Sequence, residues 1–340
     1  KNSDIYDLAS VTKIAATTAA VMKFSELNYI NLDSKLVDYL PGLTGSNKAD
    51  IVLREMLAHQ AGLEAWIPFW KKTVNDSGTL KKSIYRTTWS DSFPVRVATG
   101  VYIQRSYKDS IYKQLVNSPV SAEKKYKYSD LGYYFLKRII EEKSKMLLSD
   151  YVNKTFYQPM GLPTMGYLPR LRFESTRIAP TEKDVTFRKQ ILQGDVHDQG
   201  AAMMGGIGGH AGLFSNATDL AAMMQLYLNK GTYGGTRFID SSVVSEFTRI
   251  QFPANDNRRG VGFDKPEPDP KKDSPVCRNA SLSSFGHLGF TGTMTWADPE
   301  TGIIFVFLSN RVYPDAEENR LAKQGTRGAI LKTIYESVGK

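Results

Sequence analysis

The sequence predicts a mixed α/β protein of the α+β kind, with an antiparallel sheet flanked by helices and a mainly helical lobe beside it. Three observations predict this class. Residues 10–28 show a helical pattern that is apolar on nearly every side, which is typical of a buried helix. Residues 131–143 show a helical pattern with one apolar face. Residues 292–309 alternate or run apolar around a turn at 298–302, which predicts a β-hairpin, and residues 319–337 form a closing helix.

The segments between these elements have weaker patterns. Residues 29–64 predict turns and a short helix, and residues 66–127 predict helices and loops of a second lobe. Residues 161–212 are poor in regular signals and rich in Gly and Pro, as is typical of a functional surface loop. Residues 253–282 are polar and contain five prolines, which predicts an excursion from the fold.

These elements divide the chain into two lobes of one composite domain. We expect residues 1–28 and 283–340 to form the sheet lobe, with residues 29–282 forming the mainly helical lobe. A length of 340 residues is ample for such a core. The active site is then expected at the seam between the lobes.

The composition is that of an ordinary globular protein and excludes several function classes. Hydrophobic residues make up 41% and charged residues 23% of the chain. The net charge of +9 is scattered, so we expect no nucleic-acid partner. Cys277 is the single cysteine, which excludes an internal disulfide framework, and four histidines leave little room for a metal site. The longest uncharged run, 199–218, is broken by glycines, so no membrane span is expected.

A first candidate for chemistry is the pair Ser10 and Lys13 at the start of the buried helix. Residues three apart share a helix face, so the Lys13 amine can reach the Ser10 hydroxyl. A serine hydroxyl needs a neighbouring base to become a good nucleophile, and a helix N-terminus favours the negative charge of the attack. Ser121 and Lys124 have the same spacing in a polar stretch without a buried helix, which makes Ser10 the better candidate.

A second candidate is the segment Tyr128-Ser129-Asp130, which directly precedes the helix over 131–143. A phenolic oxygen can relay protons when lysines lower its pKa, and a short polar side chain two residues later can hold a lysine. Taken alone, the segment is equally typical of an Asp N-cap beside a packed tyrosine.

A third candidate is the segment from His287 to Gly292, which leads into the hairpin. Gly289 on an edge strand would allow a substrate to approach the backbone closely. The amide of Phe290 would then join that of Ser10 as an oxyanion hole. A lone histidine on a strand is more often structural than catalytic.

Together and in this order, the three motifs resemble the serine β-lactamase and penicillin-binding protein superfamily. The resemblance is strongest to its class C β-lactamase-like branch, which includes D-amino-acid-processing peptidases and serine esterases. The superfamily signature is S-x-x-K, then Y-x-N or S-x-N, then K-T-G on a strand. Residues 57–63, 128–140, 208–220 and 287–311 also resemble the family, so the resemblance covers essentially the whole chain. It implies a β-lactamase/transpeptidase-like fold.

The resemblance implies roles for the three motifs. Ser10 would be the acylated nucleophile, Lys13 its activating partner, and Tyr128 the general base and acid. Asp130 stands where the family usually has Asn, which adds a negative charge beside Lys13.

The third motif departs from the family pattern more strongly. His287 and Leu288 replace the Lys and Thr of K-T-G, an exchange that esterase-like and peptidase-like relatives share at the first position. His287, Gly289 and Phe290 are expected to support or bind the substrate. The changes at Asp130 and Leu288 weaken the case for efficient β-lactam hydrolysis.

The resemblance also raises expectations about the rest of the protein. Family members usually have a helix and two sheet strands before the S-x-x-K helix, so we expect those N-terminal strands to be missing here and one sheet edge to be exposed. Residues 194–198 and 307–315 resemble β-lactamase-like domains of Bacteroidetes proteins, several of which follow a family 3 glycoside hydrolase. An upstream glycoside hydrolase domain is therefore a possible partner. The usual substrates of the family imply an extracytoplasmic location, periplasmic or at the cell surface.

The remaining histidines and the cysteine have weaker functional signals. His197 and Asp198 are a candidate proton-transfer pair or, alternatively, a loop-stabilising hydrogen bond. His59 and His210 are expected to be structural, and Cys277 to be inert.

We therefore expect a serine hydrolase that cleaves an amide or ester bond through an acyl-enzyme on Ser10, without a metal or cofactor. The substrate would be a small molecule or peptide, such as a peptidoglycan-derived peptide, a D-amino-acid compound or a small ester. The alternative hypothesis is a catalytically weak or inactive module that binds cell-wall fragments or supports an attached glycoside hydrolase.

Overall fold

The helix that carries Ser10 runs through the centre of the molecule. The computed structural model describes residues 1–339. Helical structure begins with a 3₁₀ turn at Ala9–Val11, continues through the π-helical segment Lys13–Thr18, and ends in the α-helix Ala19–Glu26. Every side chain from Val11 to Met22 is buried. The helix predicted over residues 10–28 is therefore confirmed, two residues shorter at its end, and its small alanines allow neighbouring elements to approach closely.

The remaining secondary structure is mixed. The α-helices are α1 (Ala19–Glu26), α2 (Leu36–Tyr39), α3 (Leu53–Leu57), α4 (Tyr107–Val116), α5 (Leu131–Ser144), α6 (Leu148–Val152), α7 (Gln199–Met203), α8 (Ala217–Leu228), α9 (Ser241–Thr248), α10 (Arg320–Lys323) and α11 (Thr326–Ser337). The strands are β1 (Tyr6–Asp7), β2 (Tyr85–Arg86), β3 (Val95–Ala98), β4 (Val101–Ile103), β5 (Glu182–Asp184), β6 (Gln190–Leu192), β7 (Phe214–Ser215), β8 (Thr232–Tyr233), β9 (Thr236–Arg237), β10 (Phe285–Leu288), β11 (Met294–Ala297) and β12 (Ile304–Phe307).

The main sheet is antiparallel, in the order β10-β11-β12. Trp296 pairs with Phe305, and both pack with Leu331 and Tyr335 of α11 on one face. The opposite face packs against α8. The predicted hairpin is confirmed as β11 and β12, and among residues 1–339 β12 pairs with β11 alone. The α+β class and the sheet flanked by helices are as predicted.

Helix α8 lies within residues 29–282, the segment expected to form the helical lobe, although it covers the sheet. The same segment contains four antiparallel pairings of its own, among them the small sheet β2-β4-β3. The division of the chain into two lobes stays a prediction. Among residues 1–339, no helix is both long and apolar enough to span a lipid bilayer.

The stretch 253–282 is not an excursion throughout, which corrects the sequence prediction. Val261 and Phe263 are fully buried. Gly262 has φ +82°, and a Cβ there would collide with the Thr18 hydroxyl on the central helix. The amide of Gly262 donates to the Leu57 carbonyl at 3.1 Å. This segment therefore lies beside the helix that carries Ser10, because its glycine allows the close approach and its apolar side chains are buried there.

Candidate active site

Ser10, Lys13 and Tyr128 come together as the sequence predicts. The Lys13 amine donates to Ser10 Oγ at 2.9 Å, and the Tyr128 hydroxyl donates to the same oxygen at 3.0 Å. Ser121 and Lys124, which have the same spacing, do not form a comparable site, because Lys124 is half exposed and forms an ion pair with Glu55. Ser10 is therefore the serine whose hydroxyl oxygen accepts hydrogen bonds from both a lysine and a tyrosine.

Lys13 is a fully buried cation with several partners. Its Nζ lies 2.6 Å from Asp130 Oδ1 and donates to the His210 carbonyl at 3.1 Å. The ring centroids of Tyr128 and Tyr133 lie 5.1 and 5.2 Å from it. Burial lowers the pKa of Lys13, but the Asp130 carboxylate and Tyr128 together outweigh burial, and the net pKa is raised. Lys13 is thus a charged ammonium at neutral pH.

Tyr128 is held in its protonated form. Burial raises the pKa of the Tyr128 hydroxyl, Lys13 opposes that change, and Asp130 adds to it. Asp130 makes no side-chain hydrogen bond as an N-cap of α5. Its carboxylate instead pairs with Lys13, which settles the alternative reading of this segment in favour of a lysine partner.

The turn before Ser10 is strained and tightly tied down. Ala9 has φ +46°, which is uncommon for a residue with a side chain. Its amide donates to Asp7 Oδ1 at 2.9 Å, and Asp7 Oδ2 accepts from the His197 amide at 2.7 Å. Burial raises the pKa of Asp7 to about 6. Sequence reasoning missed Asp7, because nothing in its local pattern distinguishes it from a surface carboxylate.

Strand β10 is anchored to the same turn through the segment that follows it. The hydroxyl of Thr291 donates to the Asp7 carbonyl at 2.7 Å, and that of Thr293 donates to the Leu8 carbonyl at 3.0 Å. A Cβ on Gly289 would lie 2.6 Å from the Leu8 carbonyl oxygen and would collide with the Thr293 hydroxyl. The close approach at Gly289 is therefore made by the backbone that positions Ser10, whereas the sequence suggested a close approach by substrate.

We expect Gly289→Ala to destabilise the fold by about 2 kcal/mol, because the added methyl group must push apart the segments at Leu8 and Thr293. The rate of ester hydrolysis should also fall, because the added methyl group displaces the turn that precedes Ser10. Urea unfolding measures the stability change. Gly328→Ala is the control, because a Cβ there meets nothing within 4 Å. Equal stabilities of the two variants would contradict the expectation.

His287 is buried and neutral, with one defined tautomer. Its Nε2 lies 3.1 Å from Nη2 of Arg259, and because a guanidinium only donates, Nε2 must accept. Nδ1 therefore carries the proton and donates to the Leu288 carbonyl at 2.7 Å. Burial, followed by the charges of Arg259 and Lys13, lowers the pKa of His287 well below its usual value. His287 thus does not replace the positive charge of the family's lysine.

Arg259 provides a positive charge at this position instead. It is buried, pairs with Asp264 at 3.1 Å, and lies over the Tyr128 ring at 5.7 Å from its centroid. Sequence reasoning missed it because residues 253–282 were predicted to leave the fold. The alternation of Gly260 and Gly262 with apolar residues was the available signal.

The loop 161–212 brings further titratable groups to the site, but not in the predicted pairing. His197 Nε2 lies 3.4 Å from Glu182, and His210 Nε2 lies 2.8 Å from Asp198. The candidate pair His197–Asp198 is therefore replaced by two other pairs. Burial lowers the pKa of His197 to about 4 and raises that of Glu182 to about 7.

His59 and His210 are both packed on tyrosines of the site. The His59 ring lies 4.5 Å from the Tyr128 ring, and its Nδ1 accepts from the Ser129 amide at 3.2 Å. His210 stacks on Tyr134 at 4.5 Å. His59 thus supports Tyr128, whereas His210 also lines the cleft, and the structural role expected of both stays a prediction. Cys277 is half-buried, and burial raises the pKa of its thiol.

Ser10 opens into a cleft of about 780 Å³, which is large enough for a small substrate. Trp66 and Phe290 line it and are 58% and 54% exposed, so both present aromatic surface to a ligand. The Phe290 ring lies between His197, at 5.2 Å, and the Arg311 guanidinium, at 4.4 Å. The oxyanion role of its amide stays a prediction.

Comparison with known proteins agrees with this architecture. Residues 2–327 match the family described as Beta-lactamase. A Salmonella typhimurium protein named "Putative D-alanyl-D-alanine carboxypeptidase" is 31% identical over 365 residues, which cover 98% of this chain and 78% of that protein.

Two solved structures are similar in fold at 18% sequence identity each. The "Putative 6-aminohexanoate-dimer hydrolase from Bacillus anthracis" has a TM-score of 0.63 over 99% of this chain and 74% of its own. "EstCE1, a hydrolase with promiscuous acyltransferase activity" has a TM-score of 0.62 over 90% of this chain and 80% of its own.

The fold class is thus that of β-lactamase/transpeptidase-like serine hydrolases. The chain belongs to the beta-lactamase family, and it is a serine hydrolase of that family.

Proposed function

We propose that the chain cleaves an amide or ester bond through an acyl-enzyme on Ser10. The observation that carries the proposal is that Ser10 Oγ accepts hydrogen bonds from both Lys13 and Tyr128. Once this pair has lost one proton, the group left basic can accept the Ser10 proton during attack, and the pair can return a proton afterwards.

The reaction begins when the Lys13–Tyr128 pair has lost one proton. Ser10 Oγ then attacks the substrate carbonyl carbon, and its proton passes to Tyr128 Oη, with Lys13 as the partner that stabilises the phenolate. The tetrahedral intermediate collapses, the bond to the leaving group breaks, and the same proton protonates the leaving group. In deacylation a water oxygen attacks the acyl carbon and its proton passes to Tyr128 Oη; the bond from the acyl carbon to Ser10 Oγ then breaks, and Ser10 Oγ takes that proton.

We further propose a D-amino-acid peptide, a peptidoglycan-derived peptide or a small ester as the substrate. Support comes from the relative named as a D-alanyl-D-alanine carboxypeptidase, which matches 98% of the chain. A substrate of this kind favours an extracytoplasmic location. An upstream glycoside hydrolase as partner stays a prediction.

The intact mass of the protein after incubation with a penicillin tests the nucleophile. We expect an adduct of the mass of the penicillin on wild type and none on Ser10→Ala, with hydrolysis of 4-nitrophenyl butyrate lost in parallel. Ser121→Ala is the matched control, because Ser121 has the same spacing to a lysine and lies outside the cleft. Wild-type behaviour is expected of it.

Two outcomes would contradict the proposal. Hydrolysis that survives in Ser10→Ala would exclude Ser10 as the nucleophile. A wild-type protein that forms no adduct and hydrolyses neither the ester nor a D-alanyl dipeptide would support the alternative, a non-catalytic binding module.

A further inference from the structure

The carboxylate of Asp7 joins two segments that line the cleft. Its Oδ1 accepts from the Ala9 amide at 2.9 Å, and its Oδ2 accepts from the His197 amide at 2.7 Å. Ala9 immediately precedes Ser10, and all three of Ala9, Ser10 and His197 line the cleft. Asp7 itself is 2% exposed, so both hydrogen bonds are shielded from water. One buried side chain thus fixes the turn before the nucleophile relative to the loop at 196–198.

The turn before Ser10 depends on such contacts because its backbone is strained. Ala9 has φ +46°, a left-handed conformation that persists in residues with a side chain only where the surroundings enforce it. Here the Asp7 carboxylate holds the Ala9 amide, and the hydroxyls of Thr291 and Thr293 hold the carbonyls of Asp7 and Leu8. Of these three side-chain groups, only the carboxylate can change its charge.

The loop on the other side of Asp7 is itself held rigidly by Arg188, whose side chain is fully buried. Its Nε donates to Asp184 Oδ2 at 2.7 Å, and its Nη1 and Nη2 donate to the carbonyls of Val196 and His197 at 2.6 and 2.7 Å. A planar guanidinium with three fixed acceptors leaves this loop little freedom. The His197 amide is therefore presented to Asp7 in a defined position.

Both partners of Asp7 are N–H donors, so both of its oxygens must accept. A carboxylate meets this demand and forms charge-assisted hydrogen bonds, which are stronger than those of a neutral acceptor. Protonation of the carboxyl, or its replacement by an amide, puts a donor group opposite one of the two N–H groups. The arrangement is therefore complete only when Asp7 is ionised.

The surroundings of Asp7 bring its ionisation into an accessible range of pH. Burial raises the pKa of Asp7 to about 6, against the two amides and the charge of Arg188, which lower it, while Asp198 also raises it. The other elements that contact Asp7 contribute Phe214 of β7 and the hydroxyl of Thr291, neither of which titrates in this range.

Most of the ionisable groups around Asp7 keep their charge from about pH 5 to pH 8. The pKa values of Asp198 and Asp184 are held below their usual range, because the partners of these carboxylates outweigh burial. Burial lowers the pKa of His197 to about 4, so this histidine is neutral. Glu182, whose pKa burial raises to about 7, titrates close to Asp7 and requires a control.

We propose that Asp7 is a positioning residue for Ser10, and that its ionised carboxylate is required to hold the nucleophile in the geometry that attacks the substrate. This inference rests on the proposed function and adds to it a second ionisation, separate from that of the Lys13–Tyr128 pair. Asp7 acts through the Ala9 amide and the backbone of the turn.

The pH profile of kcat/KM for 4-nitrophenyl butyrate tests the proposal in wild type. Loss of one proton from the Lys13–Tyr128 pair makes kcat/KM rise about tenfold per pH unit below the pKa of the pair. Ionisation of Asp7 adds a second proton below about pH 6, so kcat/KM should there change about hundredfold per pH unit. We therefore expect a break in the slope near pH 6.

Asp7→Asn keeps the size of the side chain but lacks this ionisation. We expect its kcat/KM at pH 8 to be about thirtyfold below that of wild type, with the loss in kcat, because a charge-assisted hydrogen bond to the turn is lost. The factor should shrink to about threefold at pH 5, where most of the wild-type Asp7 is protonated. A purely structural defect would give the same factor at both pH values.

Asp219→Asn is the matched control. Asp219 is also buried and accepts from the Thr164 amide at 2.7 Å, but it lies outside the cleft. This variant is expected to be less stable than wild type in urea and to keep the break near pH 6. Glu182→Gln removes the other carboxyl that titrates in this range, and it should keep the break as well.

Nitrogen-15 labelling of the alanines provides a readout that does not require catalysis. The Ala9 amide resonance, assigned by its absence from Ala9→Gly, should shift as the pH falls through about 6. A constant slope through pH 6, an Asp7→Asn factor that does not change with pH, or an Ala9 resonance that does not move overturns the proposal. If hydrolysis is still Ser10-dependent, the proposed function then stands without this role. Hydrolysis that survives in Ser10→Ala overturns the proposed function, and with it the role of Asp7 in positioning a nucleophile.

Discussion

Replacing Lys13 by Met is expected to lower kcat/KM for 4-nitrophenyl butyrate by about 10³-fold, the middle of the range for general acid–base catalysis. Met keeps the length of the side chain but removes the amine that donates to Ser10 Oγ at 2.9 Å. Tyr128 then loses the positive charge that opposes the rise of its pKa, so its phenolate becomes harder to form. Ser10 remains in place without its activating partner.

Lys23→Met is the control for this substitution. Lys23 lies in α1, which continues the helix that carries Lys13; its side chain is partly buried and pairs with Glu26 at 2.9 Å. It should retain the wild-type rate. A Lys13→Met rate within tenfold of wild type would exclude Lys13 as the activating partner, and Tyr128→Phe would then show whether the tyrosine acts alone. Circular dichroism of each variant checks that the fold is retained.

The local patterns of the sequence were sufficient to predict the elements that carry the candidate site. The apolar surface around residues 10–28 predicts a buried helix, and burial is what makes Lys13 a desolvated cation. The alternation around 298–302 predicts the β11–β12 hairpin, whose register then follows from the inward side chains. Ser10, Lys13 and Tyr128 are predicted because their order along the chain resembles a known family.

Contacts between distant segments were not predictable in the same way. Arg259 reaches His287 from a stretch whose polarity and prolines predict exposure, and only the packing of Val261 and Phe263 brings it inward. The pairing of His197 and His210 with different carboxylates depends on loop geometry that has no period in sequence.

Asp130→Asn is expected to raise hydrolysis at neutral pH. The Asp130 carboxylate raises the pKa of Lys13 and also raises that of Tyr128. A group with a raised pKa keeps its proton to higher pH, so the deprotonated, active form of the pair is rare at pH 7. Removing the charge lowers the pH of half-maximal kcat/KM by about one to two units, which raises the rate at pH 7 about ten- to hundredfold.

The two histidines that face Lys13 do not obscure this shift. His59 and His287 face Lys13, and burial holds the pKa of each well below its usual value, so both are neutral across the range.

Asp50→Asn, which breaks an exposed ion pair with Lys35, is the control and should leave the pH profile of kcat/KM unchanged. The same Asp130 variant should be less stable at neutral pH, because it leaves the buried Lys13 ammonium without its carboxylate partner. A profile that does not move, or that moves to higher pH, would show that Asp130 is needed to orient Lys13, and that the carboxylate at this position assists the chemistry rather than restrains it.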